Sequence, residues 1–249
     1  MLGVIIYLSV RIRTVNLSGL KDVTTNDWTL GPDLDPFFFL RLTKYIVEQG
    51  SLMAVDMMRY VPLGKVPMAE LYFTPYLMAG FHKIAVFFGS PSVTYSAIMY
   101  PVFFFALTII GMFLMTRKIF FDFVGEKKAN AIALIASLLL TVIPVFLPRT
   151  IAGIPEKESA AFFFMFMAFY FFISGWKSKS RRNQLIFGLL AGISTATMGM
   201  VWGGYAFIFL AIAPAVFIAF VFGLVDAKRY AFYSVWLFSS IIMKFLYFF

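Results

Sequence analysis

Two short segments of this sequence place acidic residues where they could share a metal ion. The first, Gly31–Phe37, carries Asp33 and Asp35 two residues apart and is followed by Arg41. Carboxylates at this spacing suit a hard divalent cation such as Mg²⁺ or Mn²⁺. A purely structural alternative is a turn in which Asp35 is the N-cap of a helix that begins at Pro36.

The second acidic segment, Arg149–Glu158, contains Glu156 and Glu158 directly after Pro155. A structural alternative exists here too, because Pro at the first helical position and acids in the first turn complement the helix dipole. The segment nevertheless opens a long aromatic run, and ionisable groups beside lipid are costly unless they have a function. Carboxylates from both segments, if they met, would repel one another by several kcal/mol. A divalent cation, helped by Arg149, would relieve that repulsion.

The chain that positions these segments has the composition of a membrane protein. Hydrophobic residues make up 61% of its 249 residues and charged residues only 13%, roughly half the charged share of soluble domains. A single soluble core could not bury so much apolar surface. The 21 Lys and Arg outnumber the 12 Asp and Glu, largely in short loops, which indicates topology determination and contact with anionic lipid rather than nucleic acid. The absence of Cys and the single His exclude thiolate chemistry and histidine-rich metal sites.

Six apolar runs approach the length of about 20 residues that a membrane-spanning helix requires. They are Ala97–Thr116, Ala129–Leu147, Ala160–Trp176, Leu185–Val201, Tyr205–Val225 and Tyr230–Phe249. Basic loops at residues 116–128 and 176–184 belong on the inner side by the positive-inside rule. Residues 148–159 and the end of the long segment 14–96 then fall on the outer side. Both acidic segments are therefore predicted to share one face of the membrane.

Residues 14–96 are mixed in polarity and are predicted to form a long, folded first external loop. Capping residues within it predict a helix over Pro36–Gln49, with Asp35 as the N-cap and Gly50 as the C-cap. A second helix is predicted over Phe73–Gly89, where charged and polar residues near the middle favour an interfacial position. If this second helix spanned the membrane, the two acidic segments would lie on opposite sides.

Several stretches, in chain order, resemble the catalytic subunits of oligosaccharyltransferases. Asp35–Arg41 resembles the Asp-Pro-Tyr-x-x-x-Arg stretch of that family's first external loop, and Gly31–Asp35 is similar to its archaeal version. Arg149–Gly153, followed by an acid-x-acid triplet, is similar to the family's second loop. Leu190–Gly192 and Trp202–Tyr205 resemble a later hairpin. The resemblance covers essentially the whole chain.

The resemblance implies both a fold and an activity. The fold is an all-α polytopic membrane protein, a GT-C-like helix bundle forming one domain over residues 1–249, with external loops at about 14–96 and 148–159. The activity is transfer of an oligosaccharide from a polyprenyl (pyro)phosphate lipid to the Asn of Asn-x-Ser/Thr sequons. Its partners are the lipid-linked oligosaccharide, an acceptor polypeptide and membrane lipids. The expected location is the plasma membrane, with the active site on the extracytoplasmic face.

By matching position, the resemblance also implies residue roles. Asp35, Glu156 and Glu158 would bind the divalent cation, Mg²⁺ or Mn²⁺, and Asp35 would contact the acceptor amide. Arg149 would act with Asp35 and Glu156 in catalysis, either neutralising nearby charge or holding the acceptor or the donor phosphate. Two further residues are additional candidates for the site: Asp33 and Arg41.

The sequence departs from the family in two respects. Its second motif is Glu156-Lys157-Glu158 instead of Asp-x-Asp, which lengthens each acidic side chain and changes the metal geometry. The chain also ends before a later external loop with a catalytic Glu and before the soluble sequon-binding domain, so it is expected to be a fragment that is inactive alone. Alternative functions are another polyprenyl-phosphate-sugar transferase, such as a protein mannosyltransferase, or a secondary transporter. The second acidic pair argues against the former, and the nearly uncharged spans against the latter.

Overall fold

The computed structural model of the protein describes residues 1–66 and 73–248, and these residues form a helical bundle with a folded surface loop. The helices are α1 (Leu2–Arg13), α2 (Leu34–Gln49), α3 (Phe73–Phe87), α4 (Val93–Val142), α5 (Lys157–Lys177), α6 (Arg181–Val201), α7 (Ala206–Val221) and α8 (Ala227–Phe248). Residues 67–72 of the predicted first loop and Phe249 of the last predicted run lie outside the described residues.

The predicted multi-pass membrane architecture is confirmed. In the described ranges, five helices are long and apolar enough to cross a membrane: Val93–Val142, Lys157–Lys177, Arg181–Val201, Gly203–Val221 and Ala227–Tyr247. Helix α3, described over 15 residues, is not among them. Over this described range it is shorter than the roughly 20 residues of a span, in agreement with the interfacial prediction.

The 50-residue helix α4 contains two spans joined by a sharp break at Gly125, where φ is 76° and ψ is 170°. Only glycine adopts this conformation without strain. The two halves fold against each other, since Phe105 and Ile109 of the first half share a buried cluster with Leu140 of the second. The predicted loop over residues 116–128 is therefore wrong, because helix continues on both sides of Gly125.

The end of another predicted helix also differs in the structure. The second apolar run was expected to remain helical to Leu147, but α4 ends at Val142 and a 3-10 helix, Pro144–Arg149, follows. Pro144 and Pro148 cannot donate backbone hydrogen bonds, so they favour this tighter, shorter turn. The turn delivers Arg149 to the same end of the bundle as the first loop.

Small residues bring α6 and α8 into close contact. A Cβ added at Gly192 would lie 1.8 Å from the Ser239 Oγ and 2.8 Å from the Trp236 carbonyl oxygen. The Trp236 indole N–H donates a hydrogen bond of 3.1 Å to the hydroxyl of Thr195, and both side chains are fully buried. Close packing through glycine together with one polar contact between helices is typical of membrane bundles.

Replacing Gly192 with Ala should loosen this interface. We expect G192A to lower the free energy of unfolding by about 1–3 kcal/mol, because the new methyl group displaces α8. In the matched control Gly80→Ala, the added Cβ meets nothing within 4 Å in helix α3, so higher helix propensity should stabilise by up to ~1 kcal/mol. Thermal unfolding in detergent measures the stability of each variant. Equal changes in stability for G192A and Gly80→Ala would contradict the packing argument.

Candidate functional site

A backbone hydrogen bond joins the two acidic segments. The Gly31 N–H donates to the Gly153 carbonyl oxygen at 2.8 Å, and the Gly153 N–H donates to the Ile98 carbonyl oxygen of α4 at 3.1 Å. Gly153 has φ of +88°, and a Cβ there would lie 2.6 Å from a Leu20 methyl carbon. Glycine is therefore required at residue 153 by both conformation and space. This glycine contact places Asp33 and Glu156 at the same end of the bundle.

The helix α2 begins two residues earlier than predicted. Asp33, not Asp35, occupies the N-cap position, with extended backbone and no hydrogen bond from its side chain to the helix end. The interpretation of Asp35 as a plain N-cap is therefore wrong. Pro36 lies in the first turn, where its missing N–H has no helical partner to lose, so the helix extends upstream of it. Asp35 is consequently an exposed first-turn carboxylate.

Arg149 connects carboxylates from the two segments. Its Nη1 atom lies 3.7 Å from Asp33 Oδ2 and 3.2 Å from Glu156 Oε1. The Glu156 side chain is only 2% exposed, whereas those of Arg149 and Asp33 are 47% and 39% exposed. A single half-exposed guanidinium therefore partly balances one buried and one accessible carboxylate.

The acidic groups crowd one another electrostatically. The pKa of Glu156 is raised from 4.5 to about 6, first by burial, then by the negative charges of Glu158 and Asp35. Arg149 opposes this shift, and Asp33 adds to it. The raised pKa means that Arg149 alone does not compensate the buried charge, so the site favours an additional positive charge.

The second acid of this segment, Glu158, is also incompletely compensated. Its Oε2 atom is buried and has no hydrogen-bond partner within the described residues. A buried carboxylate oxygen is costly unless it is bound to a donor or a cation. Oxygen donors are also the chemistry that Mg²⁺ and Mn²⁺ prefer.

The carboxylates do not converge into a finished metal centre. Across residues 1–66 and 73–248, no group of three His, Asp or Glu side chains lies close enough to hold an ion. The charge balance and the donor type thus fit a divalent cation, whereas the side-chain positions require adjustment. The exposure of Asp35 permits such adjustment.

A polar cleft of about 360 Å³ opens beside Asp35. Two cationic side chains, Arg59 and Lys157, line it together with Phe38 and Phe39. The Lys157 ammonium lies 5.7 Å from the centre of the Phe39 ring, and the Arg59 guanidinium lies 4.8 Å from that of Phe38. The cleft therefore pairs a carboxylate with two cations held over aromatic rings.

Arg41, an additional candidate from the sequence, has a different position. It forms a two-pronged ion pair with Asp56, whose side chain is 2% exposed. This pair lowers the pKa of Asp56, chiefly through the hydrogen bond from Arg41. Arg41 thus fastens the segment after α2 onto that helix, and no contact joins it to Arg149 or Glu156 in the described part of the chain.

Sequence reasoning missed two contributions to the site. One is the pair Gly31 and Gly153, which joins the segments through the backbone. The other is Arg13, whose Nε donates to the Thr150 hydroxyl at 2.8 Å. A basic residue after a short apolar run indicates only a membrane boundary, so no local pattern distinguishes Arg13.

The fold and the site define a polytopic membrane protein with ionisable groups gathered at one end of a helix bundle. Residues 10–249 match the family described as the N-terminal part of the oligosaccharyl transferase STT3. The chain belongs to this family.

Curated relatives are longer than this chain. It is 27% identical over 212 residues to the dolichyl-diphosphooligosaccharide–protein glycosyltransferase subunit STT3 of Saccharomyces cerevisiae, which covers 82% of this chain and 28% of the relative. The Dictyostelium discoideum protein of the same name is 25% identical over 205 residues, covering 81% and 27%. The chain thus spans less than a third of the length of these relatives.

Solved structures share the fold. The oligosaccharyltransferase of Archaeoglobus fulgidus in complex with Zn and sulfate superposes with a TM-score of 0.78 at 24% identity, over 97% of this chain and 30% of that one. The archaeal oligosaccharyltransferase AglB of the same organism, in complex with an inhibitory peptide and a dolichol-phosphate, gives a TM-score of 0.75 at 23% identity, over 99% and 28%. The predicted all-α membrane bundle is confirmed.

The glycine contact yields a test of how the two segments are held. We expect Gly153→Ala to lower the free energy of unfolding by about 1–3 kcal/mol, because alanine resists positive φ and its Cβ meets Leu20. The control Gly19→Ala adds a Cβ with nothing within 4 Å and should change stability by less than ~0.5 kcal/mol. Denaturant or thermal unfolding distinguishes them; a neutral G153A would contradict the requirement for glycine.

The raised pKa of Glu156 predicts a pH dependence of stability. Between pH 4.5 and about 6 the folded state binds more protons at this group than the unfolded state, so stability falls as pH rises through this window. The expected contribution is about 2 kcal/mol. It should vanish in Glu156→Gln and persist in Glu48→Gln, when unfolding is followed with a chelator present. A pH profile identical in wild type and E156Q would refute the shift.

Proposed function

We propose that this chain is the membrane part of an oligosaccharyltransferase catalytic subunit, active in N-glycosylation. The full protein would transfer an oligosaccharide from a polyprenyl (pyro)phosphate lipid to the Asn side chain of an Asn-x-Ser/Thr sequon. The acceptor's amide nitrogen forms the bond to the anomeric carbon, the bond from that carbon to the phosphate oxygen breaks, and the amide nitrogen gives up a proton. Family membership favours this reaction over a protein mannosyltransferase or a secondary transporter.

One observation carries the proposal: Arg149 lies between Asp33 of the first acidic segment and Glu156 of the second. These segments are more than a hundred residues apart in the chain, and the glycine contact brings them together at one end of the bundle. Such convergence is expected of a reaction site at the membrane surface.

The carboxylates that would hold a divalent cation, Mg²⁺ or Mn²⁺, are Asp35, Glu156 and Glu158, with Asp33 beside them. The unpartnered Glu158 oxygen and the raised pKa of Glu156 support this assignment. When bound, the cation would neutralise negative charge on the leaving phosphate. The Glu-x-Glu motif keeps the oxygen donors that such an ion needs.

The chain's own residues have roles beside that ion. Exposed Asp35 would accept a hydrogen bond from the acceptor amide and orient its nitrogen. Arg149 would limit the repulsion that Glu156 and Asp33 exert on an incoming phosphate. The cleft beside Asp35, with Arg59 and Lys157 in its wall, offers positive charge to the same anion.

An apolar groove of about 630 Å³ supports a polyprenyl donor. It lies between α7 and α8, and its lining includes Phe209, Leu210, Ile241 and Phe245, with Lys244 beside Tyr205. The Lys244 ammonium lies 3.6 Å from the centre of the Tyr205 ring. A groove with hydrophobic walls and a cation suits an isoprenoid chain that ends in phosphate. The related archaeal enzyme was solved with a dolichol-phosphate and an inhibitory peptide.

The acidic end of the bundle would face the extracytoplasmic side of the plasma membrane. The basic residues Arg117, Lys118 and Lys177 lie at the opposite end, where Lys177 donates to the Lys118 carbonyl oxygen and pairs with Asp122, ahead of the break in α4 at Gly125. Clusters of this sign mark the cytoplasmic side of a membrane protein. This orientation agrees with a reaction on exported polypeptides.

Glycan transfer to a sequon peptide tests the proposal. The full-length protein in detergent, with lipid-linked oligosaccharide and Mn²⁺, should glycosylate a fluorescent peptide and lose activity with a chelator. We expect Glu156→Gln and Asp35→Asn to lower kcat/KM by ~100-fold or more, since each removes charge that the reaction uses. The exposed residue Glu48, on the same helix as Asp35, provides the control Glu48→Gln, which should stay within about twofold of wild type. Full activity without both carboxylates or without divalent metal would contradict the assignment.

A further inference from the structure

Arg13 is a fully buried guanidinium without an acidic partner in the described residues. Its Nε donates to the Thr150 hydroxyl at 2.8 Å, and its Nη1 donates to the Thr141 carbonyl oxygen at 3.1 Å. The guanidinium carbon lies 3.4 Å from the centre of the Phe105 ring. Its Nη2 atom is buried and has no hydrogen-bond partner in the described residues. A buried charge contacted only by neutral oxygens and a ring costs stability compared with an apolar side chain. Its presence at this position therefore needs another reason.

The chain around Arg13 makes several contacts with the second acidic segment. Besides the bond to Thr150, the Arg13 carbonyl oxygen accepts a hydrogen bond of 2.8 Å from the Ala152 N–H. Asn16, three residues after the end of α1, donates from its side-chain Nδ2 to the Ala152 carbonyl oxygen, also at 2.8 Å. Asn16 begins the sequon Asn16-Leu17-Ser18, but its amide nitrogen is engaged within the fold. The end of α1 thus holds residues 150–152 from both the side chain and the backbone.

The held residues directly follow Arg149. Thr150 is fully buried and also donates to the Phe146 carbonyl oxygen at 2.5 Å, whereas the Arg149 side chain is 47% exposed. An exposed, flexible side chain can keep a fixed direction only if its backbone is fixed. The buried Thr150 supplies that fixed point, and Arg13 holds Thr150.

We propose that Arg13 is a positioning residue for the reaction, acting through Thr150 to aim Arg149 at Asp33 and Glu156. The inference rests on the proposed function, and it adds a residue remote from the carboxylates to the machinery. Arginine suits this role because its planar fork donates from Nε and Nη1 in fixed directions to two acceptors on different elements. A lysine ammonium has no such fork and would satisfy one acceptor at the expense of the other.

A double-mutant cycle in the full-length protein separates positioning from general stability. We expect Thr150→Val to lower kcat for sequon-peptide glycosylation about tenfold in the native background and less than twofold in the Arg149→Ala background. Thr150→Ser, which keeps the hydroxyl, should restore kcat to within about twofold. The control Ser9→Ala removes the long 3.5 Å contact to Arg13 Nη1 and should leave kcat unchanged. Equal losses from T150V in both backgrounds would overturn the proposal, because they indicate a loss of folded protein alone.

Hydrogen exchange of the amides of residues 149–156 provides a readout that needs no glycan transfer. Arg13→Lys and Thr150→Val should each accelerate exchange there at least fivefold, with helix α6 unaffected. If exchange accelerates but the wild-type protein transfers no glycan, the proposed function fails and Arg13 remains only an anchor of the segment. If exchange is unchanged, the positioning role of Arg13 is refuted whether or not the protein is active.

Discussion

The hydrogen bond between Gly31 and Gly153 is the contact on which the rest of the site depends. It joins two segments that belong to different parts of the chain, and it does so through the backbone, so no side chain separates them. With a Cβ at residue 153, the positive φ and the approach of Leu20 would force the segments apart. The electrostatic coupling of Glu156 to Asp33 and Asp35 exists only because this approach is close.

Charge balance at the site follows from that proximity. Carboxylates from both segments act on Glu156, and Arg149 is the cation that opposes them there. Burial of Glu156 makes the imbalance more severe than it would be in water. The electrostatic cost of these carboxylates is confined to one end of an otherwise apolar bundle. This separation keeps the cost of the acidic groups away from the spans that hold the protein in the membrane.

Much of the architecture was predictable from the sequence because lipid imposes simple rules. Spanning helices need long apolar runs, and basic loops fix their direction, which placed both acidic segments at one end. The start of α2 at Leu34 was not predictable. The pattern Asp35-Pro36 is an equally good helix start, and it predicts a helix that begins two residues later. The pairing of Arg41 with Asp56 was not predictable either, because it depends on how the segment after α2 folds back. The helical continuation through the basic residues near Gly125 was also missed, because charge indicates a side of the membrane and not a backbone conformation.

The helix α5 has a consequence for where the site lies in the membrane. It has 21 residues and is about 30 Å long, close to the thickness of the hydrocarbon layer. At one end, Lys177 donates to the carbonyl oxygens of Lys118 and Ile119 and pairs with Asp122. At the other end stand Glu156 and Glu158. The helix therefore fixes the height of the carboxylates above the far side of the bilayer. Inserting one residue would raise them by about 1.5 Å and rotate them by about a quarter turn.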